Sequence, residues 1–268
     1  MHTTIGSILL NEAEFIELSL RQHYAYADKI VLIEGADKLY PSDLVTKDGL
    51  STDDTAEIIR SFPDPDKKIE FVQYGFAENK AVLRNEYAKR TEPGILLAVD
   101  CDEFLSNRSW ELVKPLLEAM SGPGALRIKH VHAWKDYGHV VRGLYYDVPH
   151  LRLYRWPKKA GHFTCHNHPM LENGTPLYKL NCLKIEAPWH DLGGGVVGMR
   201  DPFWFHAGFA RQAHLIAAKN AYYRARGESQ TRPDTTRARA AWFAEETPSE
   251  LTISKFNGPY PEVFQNGC

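Results

Sequence analysis

The chain has 268 residues, 43% of them apolar and 25% charged, and 32 Lys and Arg against 34 Asp and Glu leave a formal net charge of −2. That length can bury a proper core, that composition is ordinary for a soluble globular protein, and that charge excludes a global basic field of the kind that binds nucleic acid or anionic membrane. The four cysteines (Cys101, Cys165, Cys182, Cys268) are widely spaced, and no window approaches the roughly 18 apolar residues of a membrane span, so a disulfide scaffold and a membrane anchor are not expected and the protein is expected to be cytoplasmic.

Thr4 to Leu10 is a short apolar run that predicts a buried strand. From Asn11 to Tyr26, Phe15, Leu18 and Ala25 fall at helical spacing, with Ile16 and Leu20 beside them. Lys29 to Ile33 predicts a second strand, and the polar residues 36–50 predict a loop. Ser51 is a candidate cap for a helix from Thr52 to Phe62, with acidic residues in its first turn. Ile69 to Gln73 predicts a third strand, Glu78 to Arg90 a helix, and Gly94 to Val99 a fourth strand. The second half is less regular. It predicts a helix over Trp110 to Met120, strands over Ala125 to Val131 and Leu151 to Trp156, and a loop-rich stretch over 157–202. An amphipathic helix over Ala207 to Gly227 follows, then a tail rich in Thr, Pro and Arg.

This alternation predicts an α/β fold with a mostly parallel central sheet, helices on both faces and an elaborated C-terminal half, as one domain over residues 1–268. Ligands of such sheets bind beyond the carboxyl ends of the strands. The polar residues there are Asn11 and Glu12, Glu34, and Asp100 to Glu103.

The segment AVDCDEF, residues 98–104, carries the strongest chemical signal. Two carboxylates spaced i, i+2 point the same way on a continuing strand, and in the turn after a strand both can face one cation. Hard oxygen ligands suit magnesium or manganese, which bind through one or two carboxylates plus substrate phosphates. Such a triplet alone is more often an acidic turn or helix cap. Its place after the fourth strand of an α/β alternation favours the metal. Neither a Gly-x-Gly-x-x-Gly, a P-loop nor a Gly-x-Ser-x-Gly pattern occurs. His162, Cys165, His166, His168, Cys182 and His190 lack the spacing of the usual zinc sites. Gly193 to Gly195 reads as a hinge or a turn.

In order along the chain stand ILLNEAEF (8–15), IVLIEGA (30–36), GLSTDDT (49–55), NKAVLRNEYAKR (79–90) and GILLAVDCDEFL (94–105). This order resembles the family 2 type of glycosyltransferases with the GT-A fold. RLYRWPKKAGHFTCHNHP (152–169) and WFHAGFARQAHLIAAKNAYYR (204–224) are similar to later segments of that family. The resemblance implies an inverting hexosyl or N-acetylhexosaminyl transferase with a UDP-sugar donor, bound by residues 1–110, and a divalent metal, Mn2+ or Mg2+. It implies Asp102 as main metal ligand, His206 as a second ligand, and Asp100 near the ribose or metal. Asn11, Glu12, Asp53, Arg84 and Asn85 would line the nucleotide pocket, with Glu34 near the base. An insertion between Glu34 and Ser51 departs from the family pattern. Each residue has a structural rival: Glu12 and Asp53 as helix-start acids, Arg84 and Asn85 as solvated helix residues, His206 as a histidine satisfied among Trp204, Phe205 and Phe209.

The general base would fall near Asp191 in WHDLGGG, with His168, Asp136, Glu172 and Glu186 as rivals. The acceptor, on the side of residues 111–268, is either a saccharide or glycolipid, or a hydroxymethylated base in DNA. For DNA, Arg152, Arg155, Trp156, Lys158 and Lys159, with Arg232, Arg237, Arg239 and Trp242, interleave cations with aromatics. Alternative classes are a nucleotidyltransferase, which usually shows an early Gly-rich loop, and a non-catalytic nucleotide-sugar-binding module.

Overall fold

The computed structural model describes residues 1–143, 146, 148–157, 161–164, 169–226, 241–243 and 251–265. Strands β1 (Thr3–Leu9), β2 (Lys29–Asp37), β3 (Ile69–Ala77) and β4 (Gly94–Ala98) pair in parallel in the order β4-β1-β2-β3. Their continuous apolar runs are what strands buried on both faces require. Leu32 packs into one core cluster and its neighbours Val31 and Ile33 into another, the alternation of a strand covered on both sides.

Helices α1 (Ile16–His23), α2 (Thr55–Ser61) and α3 (Lys80–Lys89) connect these strands. Asn79 caps α3 through its side chain, which accepts from the N–H groups of Ala81 and Val82. Close approach of α3 to β1 needs Gly6, where a Cβ would stand 2.4 Å from the Tyr87 ring. Two helix starts lie later than the sequence predicts. Asn11 has φ 54 and leaves the helical region, and Asp54 is the N-cap of α2. The Ser51 hydroxyl accepts from the Asn11 N–H at 3.0 Å instead of capping.

The second half adds β5 (Glu103–Leu105), α4 (Asn107–Glu118), β6 (Gly124–Trp134), β7 (Asp136–Arg142) and β8 (Pro149–Trp156). Short elements follow: β9 (His162–Phe163), β10 (Pro169–Met170), α5 (Leu177–Leu180), β11 (Cys182–Lys184), β12 (Trp189–Gly193) and β13 (Val196–Met199). Last come β14 (Phe203–Phe209), α6 (Ala213–Ala225) and β15 (Thr252–Phe256). The full sheet runs β12-β13-β15-β7-β6-β8-β4-β1-β2-β3, with β11 and β14 also on β6 and β5 on β14. The expected α/β architecture stands: the parallel part ends at β4, and β8 continues it antiparallel.

The stretch 157–202 holds strands of two to five residues, too short to leave a readable period. The helix expected from Ala207 starts at Ala213, because Phe203–Phe209 forms β14 between β5 and β6. Three consecutive aromatics favour a pleated, covered strand over a helix. Among the described residues no helix is long and apolar enough to cross a membrane.

Candidate active site

Beyond β4 the chain turns through Asp100, Cys101 and Asp102, closed by the Glu103 N–H donating to the Asp100 carbonyl at 2.9 Å. The two carboxylates of the triplet both line one cleft but take different partners. Asp100 accepts from Arg84 Nη2 at 3.1 Å and Arg152 Nη2 at 3.0 Å, and Arg152 also binds the buried Glu103. Asp102 lies deeper, its side chain 4% exposed, with His206 Nε2 at 3.6 Å, Arg211 Nη2 at 3.3 Å and Lys219 Nζ at 3.8 Å. Burial alone would raise its carboxyl, but the charges of His206, Arg211 and Lys219 outweigh burial and hold it at about 2.

Alpha6 lies over these strand ends and closes a cleft against them. Glu12, Asp100 and Asp102 line it from the sheet, Lys80 from α3, and Lys219 and Tyr222 from α6. The helix is tied down at Asp37, which accepts from the Tyr222 hydroxyl at 3.1 Å and Arg226 Nη1 at 2.9 Å. Arg211 bridges Glu12 and Asp102. Burial pushes the Glu12 carboxyl up to about 7, against the downward pull of Arg211. Tyr40 packs 5.5 Å from Tyr222, and burial pushes its phenol up to about 12.

The structure brings Glu12, Asp100, Asp102 and His206 together. The other expected nucleotide contacts are engaged in holding the scaffold. Asn11 Nδ2 donates to the Leu44 carbonyl at 2.7 Å, and its Oδ1 accepts from the Thr52 N–H at 2.9 Å. Asp53 accepts from the N–H groups of Ala13 at 3.0 Å and Thr55 at 3.1 Å. Buried Glu34 accepts from the Ser51 N–H at 3.0 Å and Gln73 Nε2 at 2.8 Å. Asn85 exchanges two bonds with the Phe163 backbone. Arg84 is a buried partner of Asp100, not a solvated helix residue.

Asp191 lies exposed on edge strand β12, with β13, β15, β7, β6 and β8 between it and β4, and accepts from the Gly193 N–H at 2.9 Å. The fold does not carry it to the cleft. Among its rivals, Asp136 pairs with His139, Glu186 pairs with Lys184, Glu172 is exposed, and His168 lies outside the described residues. The cation and aromatic stripe expected to suit DNA is also altered. Arg152 and Trp156 are buried, Arg155 donates to the Gly94 carbonyl, and Trp242 is half-buried with its indole N–H on the Phe209 carbonyl. Lys158, Lys159, Arg232, Arg237 and Arg239 lie outside the described residues. So do Cys165 and His166 of the zinc reading.

Whether these residues suit a divalent cation is decided between Asp102 and His206. Among the described residues no three His, Cys, Asp or Glu side chains converge on one point, and Asp102 and His206 are two candidate ligands that face each other. Magnesium-type sites work in this way, the remaining ligands being substrate phosphates and water. Two donors about 2.1 Å from one ion stand about 3 Å apart at a right angle and about 3.6 Å apart at a wider one. Gly208 keeps the gap clear: a Cβ there would stand 2.7 Å from both Asp102 Oδ2 and His206 Nε2. The pair fits a cation.

Three residues were missed from sequence. Arg211 and Lys219 resemble any solvated helix cations until tertiary structure sets them on Asp102. His132 had a signal, the His-x-His spacing with His130 that puts both on one face of β6. His132 Nδ1 lies 2.8 Å from His206 Nδ1, and burial holds both His130 and His132 well below the usual imidazole range.

No family model matches the chain, and no curated protein matches it. Among solved structures it is similar to S. aureus TarS residues 1–349 in complex with UDP-GlcNAc, with 17% identity and a TM-score of 0.39 over 50% of this chain and 35% of that one. It is also similar to the mannosyltransferase PcManGT from Pyrobaculum calidifontis in complex with GDP-Man and Mn2+. There the identity is 14% and the TM-score 0.48, over 86% of this chain and 64% of that one. The chain thus spans about a third of the TarS fragment, and neither likeness reaches a TM-score of 0.5.

Proposed function

We propose that the chain is a glycosyltransferase that binds a nucleotide-diphosphate sugar, a UDP-sugar by its motif order, with a divalent cation at Asp102 and His206. One observation carries this reading: a buried aspartate at the end of a parallel strand is matched by Arg211 and Lys219 and by an imidazole across a gap kept clear by Gly208. Such a set suits a diphosphate accompanied by a cation, since each cationic side chain has an anionic partner before and after the donor enters. Arg211 and Lys219 would contact the diphosphate, and Lys80, whose ammonium lies 5.0 Å from the Tyr222 ring centroid, would meet it from α3. The bound cation would neutralise charge on the leaving diphosphate. Aromatic Tyr40 and Tyr222 would flank the nucleoside. In an inverting transfer the acceptor hydroxyl attacks the anomeric carbon as the diphosphate leaves, and electrostatic stabilisation of that leaving group is the largest contribution.

For the acceptor we favour a saccharide hydroxyl over a DNA base. The burial of Arg152 and Trp156 removes the centre of the surface that would follow a phosphate backbone. Duplex DNA should therefore not be retained by the protein at low salt, and salt-sensitive retention would restore the DNA acceptor.

The deciding experiment is calorimetric titration of UDP with Mn2+, without metal, and in Asp102→Ala and Gly208→Ala. Binding that needs the metal, and weakens at least about tenfold in both variants, is expected. If UDP and a panel of other nucleotides give no heat with the wild-type protein, the donor-site reading is wrong.

A further inference from the structure

Asp102 meets its cationic partners on one oxygen. Arg211 Nη2 stands 3.3 Å and Lys219 Nζ 3.8 Å from Oδ2, while His206 Nε2 lies 3.6 Å from Oδ1. A charge-assisted hydrogen bond closes to about 2.7–2.9 Å. Arg211 and Lys219 are therefore held at Asp102 by charge and not by short, directed bonds. Arg211 also has a donor to spare. Its side chain is 8% exposed, yet its Nε is buried with no hydrogen-bond partner in the protein. A buried guanidinium nitrogen in that position calls for an acceptor from elsewhere.

The protein's own charges already balance in the cleft. Glu12 and Asp102 face Arg211 and Lys219, Asp100 is matched by Arg84 and Arg152, and Lys80 adds a positive charge from α3. A divalent cation entering alone would have to share the Asp102 carboxylate with a guanidinium and an ammonium that neutralise it. Like charges so close oppose one another strongly where burial limits screening. A diphosphate removes that opposition, because its oxygens offer Arg211, Lys219 and Lys80 new anionic partners as Asp102 is taken. Glu12 keeps Arg211 at the cleft through the exchange. The same Nη2 that approaches Asp102 donates to Glu12 Oε2, and the guanidinium lies 4.8 Å from the Phe15 ring centroid.

We propose that Arg211 and Lys219 are resident counter-ions of Asp102, so that the cleft takes a divalent cation and a diphosphate only as a pair. When Asp102 accepts the cation, Arg211 and Lys219 turn to the phosphate oxygens. This rests on the donor-site reading of the cleft, and it adds that the cation is refused without the diphosphate.

The test is equilibrium dialysis of radiolabelled Mn2+ against the full chain, alone, with uridine and with UDP. UDP should raise the affinity for Mn2+ by about tenfold or more, and uridine, which lacks the phosphates, should not. Lys219→Met keeps the packing of the side-chain stem and removes its charge. It should raise the affinity for Mn2+ alone by about three- to tenfold and shrink the gain from UDP. A residue that merely shaped the cleft would not move the two affinities in opposite senses. Arg224→Met removes an exposed charge from the same helix and should leave both affinities at the wild-type values. The inference is overturned by a wild-type protein that holds Mn2+ as tightly alone as with UDP. It is equally overturned by a Lys219→Met protein that holds Mn2+ alone no more tightly than wild type, or by an equal gain in Arg224→Met. Mn2+ that stays unbound by the wild-type protein even with UDP, or that binds with UDP equally well in Asp102→Ala, would instead remove the cation site of the donor-site reading.

Discussion

The two halves of the molecule use their polar residues differently. In the parallel half, Asn11, Glu34 and Asp53 spend their hydrogen bonds on neighbouring backbone and on the side chains of Gln73 and Thr55, knitting the β1–α1 turn to residues 44–55 and to β3. In the C-terminal half, His206, Arg211 and Lys219 converge on a single buried carboxylate supplied by the first half. The difference teaches that a motif residue at a strand end can be scaffold, while the cations that surround Asp102 arrive from the other half of the chain.

The sharpest way to break this comparison is to remove the two cations one at a time. Arg211→Ala strands Glu12 and Asp102 in a buried site, so it should cost about 3–5 kcal/mol in urea unfolding. It should also slow UDP release from a UDP-sugar by about 10²–10³-fold. Lys219 is 34% exposed, so Lys219→Ala should leave stability within about 0.5 kcal/mol of wild type while lowering turnover to a similar extent. A Lys219→Ala protein that turns over at the wild-type rate would show that α6 merely covers the cleft.

Scaffold residues should behave in the opposite way. Asn11→Ala and Asp53→Ala each leave backbone N–H groups without a partner, at a cost of about 1–3 kcal/mol, with UDP affinity unchanged in calorimetry. A loss of UDP affinity without a loss of stability would return these residues to the nucleotide pocket.

A smaller effect probes the seam between the halves. His23 on α1 packs against Phe104 and Trp204, and burial lowers its imidazole to about 3. Between the ordinary value near 6.5 and that value only the unfolded chain takes up the proton, so stability is full above pH 6.5 and is lost as pH falls. A drop from pH 6.5 to 5.5 should cost about 1 kcal/mol through this residue. Urea midpoints over that range should fall less steeply in His23→Phe, and equal slopes would mean that the ring is hydrated.

Much of the first half was legible because its signals are local. Four apolar runs, the turns between them and the Asp-x-Asp triplet need only neighbours in sequence to be read. The resemblance places Asn11, Glu34 and Asp53 at the nucleotide because their positions match a motif, yet the segment after Glu34 folds back so that Leu44 and Thr52 bond Asn11, Ser51 bonds Glu34, and Asp53 takes the Ala13 and Thr55 N–H groups. The helix expected at Ala207 illustrates the limit of periodicity, since its first three residues, Ala207 to Phe209, end strand β14 on β6 instead.

The sequence by itself determined the α/β alternation, the parallel strands and the carboxylate at the end of the fourth, because hydrophobic period and composition act over a few residues. Only the tertiary structure decided which cations meet Asp102, that Asp100 is held by arginines, and that Asp191 stands at the far sheet edge. Those outcomes depend on contacts between elements distant in sequence, between side chains whose chemistry is the same in solvent as in a site.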